Sequence, residues 1–310
     1  MSGVEFGIYV PQVTSRYGDL LSAALSAEEL GFTSFWLFDH LYAPGAPQLP
    51  SLEGWTTATA LLASTTRLRV GNLVLCNNFR HPALVAKMAT TLDVISGGRL
   101  ELGLGSGSVE REHDEVGIAW GSGQERSERL AEALEIITRM FATPRTDFSG
   151  AHYEVRDLPN VPGPVQQPRP PIHIGGAGPK YTLPLVARYA DVWNVPTYAL
   201  ADWDSLTATL ERNCAAIGRD PASIRRSHEA VLGVAATEAE LPDVRDALAR
   251  RFEPADAYGL DAGYIGTPAM LVDRIGERVE QGITSFAFMV SLKDAEATMR
   301  HFAAHVMPQL

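Results

Sequence analysis

Apolar residues along this chain follow two spacings in alternation. Short runs rich in Val, Leu, Ile and Phe at 4–10, 33–38, 68–75 and 99–104 predict β-strands. Between them, 20–30, 56–64 and 82–93 carry apolar residues three and four apart and predict helices. Gly31 follows the first helix where a left-handed cap belongs. Pro82 opens another where its missing N–H costs least. The second half repeats the rhythm, with strands at 171–174, 190–195, 227–235 and 285–290. Its helical patterns lie at 181–189, 202–217, 238–252, 268–281 and 294–306. Strict alternation predicts an α/β chain with a parallel sheet and right-handed crossovers. A count of eight strands favours closure into a (β/α)8 TIM barrel. A doubly wound open sheet shares the alternation, but usually with fewer strands and one dominant phosphate loop.

One interval breaks the pattern. Residues 143–171 hold Pro144, Pro159, Pro162, Pro164, Pro168, Pro170 and Pro171, with a hairpin expected at 147–153. A loop of this length is usually functional or a lid; a domain linker is the alternative. Because the rhythm resumes unchanged beyond it, residues 1–310 are read as one barrel domain with a Pro-rich insertion.

Composition narrows the class. The chain has 310 residues, 45% hydrophobic and 20% charged, enough for a full core. A net charge of -11 argues against nucleic-acid and anionic-membrane partners, which need a basic face. Cys76 and Cys214 supply neither a disulfide scaffold nor a four-thiolate metal site. No signal-peptide pattern opens the sequence, and no run approaches the roughly 20 apolar residues of a membrane span. A reduced, cytoplasmic enzyme is the expectation.

In a parallel barrel the active site forms where strands end. Asp39-His40 follows the second strand, Cys76 to His81 the third, and Gly103 to Ser108 the fourth. Gly175-Gly176-Ala177-Gly178-Pro179-Lys180 follows the fifth and Trp193-Asn194 the sixth. His40 can exchange a proton near neutral pH, and Asp39 can orient it or bind a cofactor hydroxyl. The glycines at 175–178 read as an anion nest before a helix, without the ending of a Walker A loop. Gly105, Ser106 and Gly107 read as a wall that a flat ring can approach, the glycine offsets being wrong for a dinucleotide fingerprint. The histidines form no metal constellation such as HExxH, so no metal is expected. Glu112-His113-Asp114-Glu115 reads as a solvated loop, and no G-x-S-x-G elbow surrounds Ser106.

Taken in order, these motifs resemble the bacterial luciferase-like superfamily of barrel oxidoreductases, closest to its branch using the deazaflavin coenzyme F420. The segments carrying the resemblance are 6–12, 35–40, 66–71, 81–87, 92–105, 171–178 and 190–194. The resemblance implies a luciferase-like (β/α)8 barrel with an insertion after strand 4. It implies a ring seated at the mouth, with Asp39 at its polar edge or side chain and His40 as the catalytic residue beside the reacting carbon. It maps a bulge with a non-proline cis peptide onto Leu73-Val74. It assigns Gly105, Ser106 and Gly107 to the ring, and Gly175, Gly176, Ala177, Gly178 and Pro179 to the phosphate side. The sugar-phosphate dehydrogenase branch carries an acid where this chain has Ser108, so that substrate is not expected. Trp55 and Trp193 are the aromatic candidates for substrate contact, with core packing as the alternative.

The implied function is hydride transfer between F420 and an unidentified small organic substrate. The alternative is an FMNH2-dependent monooxygenase fed by a separate flavin reductase. A homodimer is expected, as is common in the superfamily.

Overall fold

The computed structural model describes residues 3–252 and 259–310. Among them the strands are β1 (Glu5–Tyr9), β2 (Ser34–Leu37), β3 (Arg69–Cys76), β4 (Leu100–Gly105), β5 (Arg145–Ser149) and β6 (Glu154–Pro159). They continue with β7 (Ile172–Gly175), β8 (Val192–Pro196), β9 (Arg225–Val234), β10 (Tyr264–Gly266) and β11 (Ser285–Met289). The helices are α1 (Tyr17–Glu29), α2 (Gly54–Ser64), α3 (Pro82–Ser96), α4 (Glu110–Glu115) and α5 (Gly123–Ala142). After these come α6 (Thr182–Tyr189), α7 (Trp203–Ala216), α8 (Leu241–Arg251), α9 (Pro268–Glu280) and α10 (Ala295–His305).

Strands β1, β2, β3, β4, β7, β8, β9 and β11 pair in that order, all parallel, and β11 returns to β1. This is the closed eight-stranded barrel expected from the alternation, and its strands are the eight runs read from the sequence. The caps behave as the sequence suggests: Gly31 has φ +88, and Pro82 occupies the first turn of α3.

Along each strand the side chains alternate between two layers. Phe6 of β1 packs outward on Phe302 of α10, with ring centroids 5.3 Å apart. Tyr9 joins Trp36, Leu73, Val231, Ala287 and Met289 in a separate apolar cluster inside the barrel. Below it lies a buried polar network in which Glu101 accepts from Arg69 and meets His173 Nε2 at 2.6 Å. Burial opposes the Glu101 charge, but His173 and then Arg69 outweigh it and hold that carboxyl below its ordinary value.

Three elements were not read from the sequence. Helix α5 opens on a capping box between Ser122 and Glu125 and buries Leu130, Leu134, Ile137 and Phe141. The short α4 precedes it, and β10 adds a parallel strand beside the far end of β9. The Pro-rich insertion is not irregular throughout, since β5 and β6 form an antiparallel hairpin. Its turn is tied to α5 by Glu132, which accepts from the N–H groups of Ala151, His152 and Tyr153. No helix among the described residues is long and apolar enough to cross a membrane.

Candidate active site

The carboxyl ends of β1, β2, β3, β4, β7, β8 and β9 surround a cavity of about 400 Å³. Its wall holds Asp39, His40, Gly105, Ser106, Gly107, Gly175, Gly176, Ala177 and Gly178, marked by their strand-end position, together with Leu73 and Val74, which the family resemblance singled out. Tyr9, Phe38, Cys76, Phe79, Glu112, His113, Asn194, Tyr198 and Glu229 complete much of it.

His40 follows β2 and reaches across to α4, where its Nδ1 lies 2.7 Å from Glu112 Oε2. The other oxygen, Glu112 Oε1, accepts from the Leu41 N–H at 2.7 Å. Both carboxylate oxygens are therefore engaged, and the Glu112 side chain is 2% exposed. A histidine fixed through Nδ1 presents Nε2 as its free atom for proton exchange. Phe38 packs edge-on against the ring at 5.3 Å and limits its rotation.

Asp39 points the other way. Arg80 donates to Asp39 Oδ2 through Nη1 and to Oδ1 through Nη2, each at 2.8 Å, and the Cys76 N–H adds a third donor at 2.8 Å. Burial raises the Asp39 carboxyl above its ordinary value, with Arg80 and Cys76 pulling against it. Burial likewise pulls Arg80 down, but Asp39 and Glu53 on either side hold it above its ordinary value. Glu53 caps α2 by accepting from the Trp55 and Thr56 N–H groups while also accepting from Arg80. The cavity wall and the start of α2 thus share one guanidinium.

The β3 side is shaped by backbone. The Leu73-Val74 peptide is cis, and the β3–β4 register shifts between Asn72 and Leu75. Val74 packs so closely on β4 that a Cβ on Gly105 would meet its Cγ2 at 2.6 Å. Cys76 lines the same wall with its Sγ 3.6 Å from His113 Nε2, and burial pushes the thiol up to about 12. A thiol so disposed packs rather than attacks.

Across the mouth, Gly176 takes φ +110 and spends its N–H on the Asn194 carbonyl. Among the described residues, the Ala177 and Gly178 N–H groups find no acceptor, and they sit just before α6. The amides left free in the glycine turn among the described residues are therefore those of Ala177 and Gly178, not that of Gly176. Glu229 on β9 faces the cavity, its Oε2 accepting from Asn194 Nδ2 at 3.2 Å. Burial pushes this carboxyl up to about 7, against the single hydrogen bond from Asn194.

Several residues lie elsewhere than expected. Trp193 is fully buried outside the barrel, stacked on Trp203 at 5.7 Å, with its Nε1 donating to the Gly176 carbonyl. Alternation along β8 decides this, turning Asn194 toward the cavity and its neighbour Trp193 toward α7. Trp55 packs into the core at the first turn of α2 and does not line the cavity. Pro179 is exposed on the turn before α6, outside the cavity wall. The reading of 112–115 as a solvated loop is overturned, because Glu112 and His113 are each 1% exposed within α4. His113 donates Nδ1–H to the Val109 carbonyl and packs edge-on against Trp120 at 4.6 Å. Glu229 was also missed; an acid inside the apolar run 227–235 is the signal that marks it.

Comparison with known proteins places the same region in a wider group. A family model described as luciferase-like monooxygenase matches residues 4–261. An F420-dependent glucose-6-phosphate dehydrogenase of Microbacterium testaceum is 37% identical over 191 residues, covering 61% of this chain and 55% of that protein. An F420-dependent hydroxymycolic acid dehydrogenase of Mycobacterium tuberculosis is 31% identical over 231 residues, covering 73% of this chain and 62% of that protein. These matches span little more than half the length of either relative. Among solved structures, an F420-dependent secondary alcohol dehydrogenase in complex with an F420-acetone adduct has a TM-score of 0.84 at 21% identity, covering 99% of both chains. A long-chain alkane monooxygenase has a TM-score of 0.86 at 15% identity, covering 100% of this chain and 91% of that one. At these identities the likeness is one of fold.

Proposed function

The chain belongs to the luciferase-like monooxygenase family, and from that footing we propose that it is an F420-dependent oxidoreductase acting on a small organic substrate. The observation that carries the reading is the His40–Glu112 pair aimed into a cavity walled by glycine backbone. The two dehydrogenase relatives named for F420 support the choice of cofactor.

The residues present fit such a group. A flat ring needs a wall without side chains, and Gly105 and Gly107 provide one beside Leu73 and Val74. A phosphate needs N–H donors and no bulk, and Ala177 and Gly178 offer unengaged amides ahead of α6. When bound, F420 supplies the two-electron carrier.

The chain's own groups do the rest. Glu112 fixes the His40 ring through Nδ1, so that Nε2 holds or releases the proton exchanged with substrate. Asp39, clamped by Arg80, sets the position of the Cys76 N–H at the end of β3. Tyr9, Phe38 and Phe79 line the cavity with apolar surface and exclude water from the reacting atoms.

Fluorescence titration of the purified protein with F420 and with FMN tests the reading. Tight F420 binding with weak FMN binding is expected. Tight FMN binding with no F420 binding overturns it and favours a reductase-fed monooxygenase.

A further inference from the structure

The substrate's chemical class follows from the charges around the cavity, given the functional reading above. Asp39, Glu112 and Glu229 line it, and no lysine or arginine does among the described residues. Two of these acids are already engaged. Asp39 gives both oxygens to Arg80, and Glu112 gives one to His40 and one to the Leu41 N–H.

Glu229 is placed differently. The only hydrogen-bond partner of its carboxylate among the described residues is the neutral Asn194 amide, 3.2 Å from Oε2. Asn194 is itself held, its Oδ1 accepting from Ser227 Oγ at 3.0 Å, so it cannot turn to offer more. No cation pairs with Glu229 among the described residues. Its register partners are Pro196, the last residue of β8, and Ala287, midway along β11, so its side chain enters the cavity from inside the barrel. Oε1 therefore remains for a ligand.

We propose that Glu229 is the substrate-recognition residue of this cavity, and that the substrate is an uncharged or cationic molecule bearing a hydroxyl or amine donor. A donor hydrogen-bonds to Oε1, and a positive charge strengthens that bond in a cavity with little water. A carboxylate or phosphate beside Glu229 meets like charge, and among the described residues no cation is paired with that carboxylate to offset it. Glucose 6-phosphate, the substrate named for one relative, carries a dianion that this wall does not accommodate.

Bound F420 serves as the reporter. At saturating cofactor and about pH 8.5, above the value of about 7 to which burial pushes Glu229, the F420 fluorescence is titrated with trans-4-aminocyclohexanol, trans-4-methylcyclohexanol and trans-4-hydroxycyclohexanecarboxylate, three rings of similar shape and different charge. The wild-type protein should bind the amine about tenfold tighter than the carboxylate, with the neutral ring between them. In Glu229→Gln, whose amide oxygen still accepts from Asn194, the gap should fall to about threefold or less. Glu229→Asp should restore the order. Equal binding of amine and carboxylate by the wild type, a gap unchanged in Glu229→Gln, or no response to any of the three rings overturns the proposal. Failure to bind F420 at all overturns the functional reading instead, so the two failures are distinct.

Discussion

His40 Nδ1 and Glu112 Oε2 meet at 2.7 Å although 72 positions separate them. The contact ties the end of β2 to a six-residue helix in the segment after β4. Glu112→Gln keeps an acceptor for Leu41 but puts a neutral amide in place of the carboxylate beside His40 Nδ1. Turnover should fall by about a hundredfold with F420 affinity little changed. Steady-state kinetics beside fluorescence titration check this, and loss of F420 binding in step with turnover would assign Glu112 to the cofactor seat.

Arg80 bridges Asp39 and Glu53, so removing it strands a buried carboxylate. Arg80→Met should lower stability by about 3 kcal/mol in urea unfolding. Asp39→Asn in the same protein should recover part of the loss, because the asparagine oxygen still accepts from the Cys76 N–H. An additive double variant would refute the coupling.

Gly105→Ala forces a methyl to within 2.6 Å of Val74 Cγ2. A destabilisation of about 1–3 kcal/mol is expected, accompanied by weaker F420 binding. Gly163→Ala is the control, since nothing lies within 4 Å of its added Cβ. Similar behaviour of the two variants would remove Gly105 from the site.

His228 governs part of the acid sensitivity. Its Nδ1 lies 2.8 Å from the Tyr264 hydroxyl, and burial, aided by the Arg278 charge, pushes it down from 6.5 to about 3. The unfolded chain takes up a proton near 6.5 that the folded chain refuses until about 3. Stability is therefore lost as pH falls through that window, by up to about 1.4 kcal/mol per pH unit from this group. Urea unfolding between pH 7 and 5 should show a steeper loss for the wild type than for His228→Gln. Equal slopes would mean that His228 is protonated in the folded protein.

Periodicity made the barrel legible. Each strand buries apolar residues, so the runs at 68–75 and 285–290 stand out where β3 and β11 form. β10 has only three residues and carries no period to detect. α5 does carry one, but its opening sits in a polar stretch whose only mark is the Ser122–Glu125 capping box. At the site, backbone positions could be read because glycines and strand ends are local features. Glu112 and Glu229 could not be placed that way. A carboxylate on a short charged helix looks solvated until tertiary packing buries it, and strand phase alone does not say which acid remains unpaired. Trp193 shows the same limit in reverse, since one step along β8 separates a cavity residue from a core residue.

Val74 has one further consequence. Cβ atoms built on Gly103, Gly105 and Gly175 would all run into this side chain, so two neighbouring strands leave room around it. A wall made by omission tolerates change in one direction only: every substitution at those glycines adds atoms, and none opens space. Exchange of side chains such as Tyr198 and Glu229, elsewhere on the wall, can instead alter what the cavity admits while these glycines stay as they are.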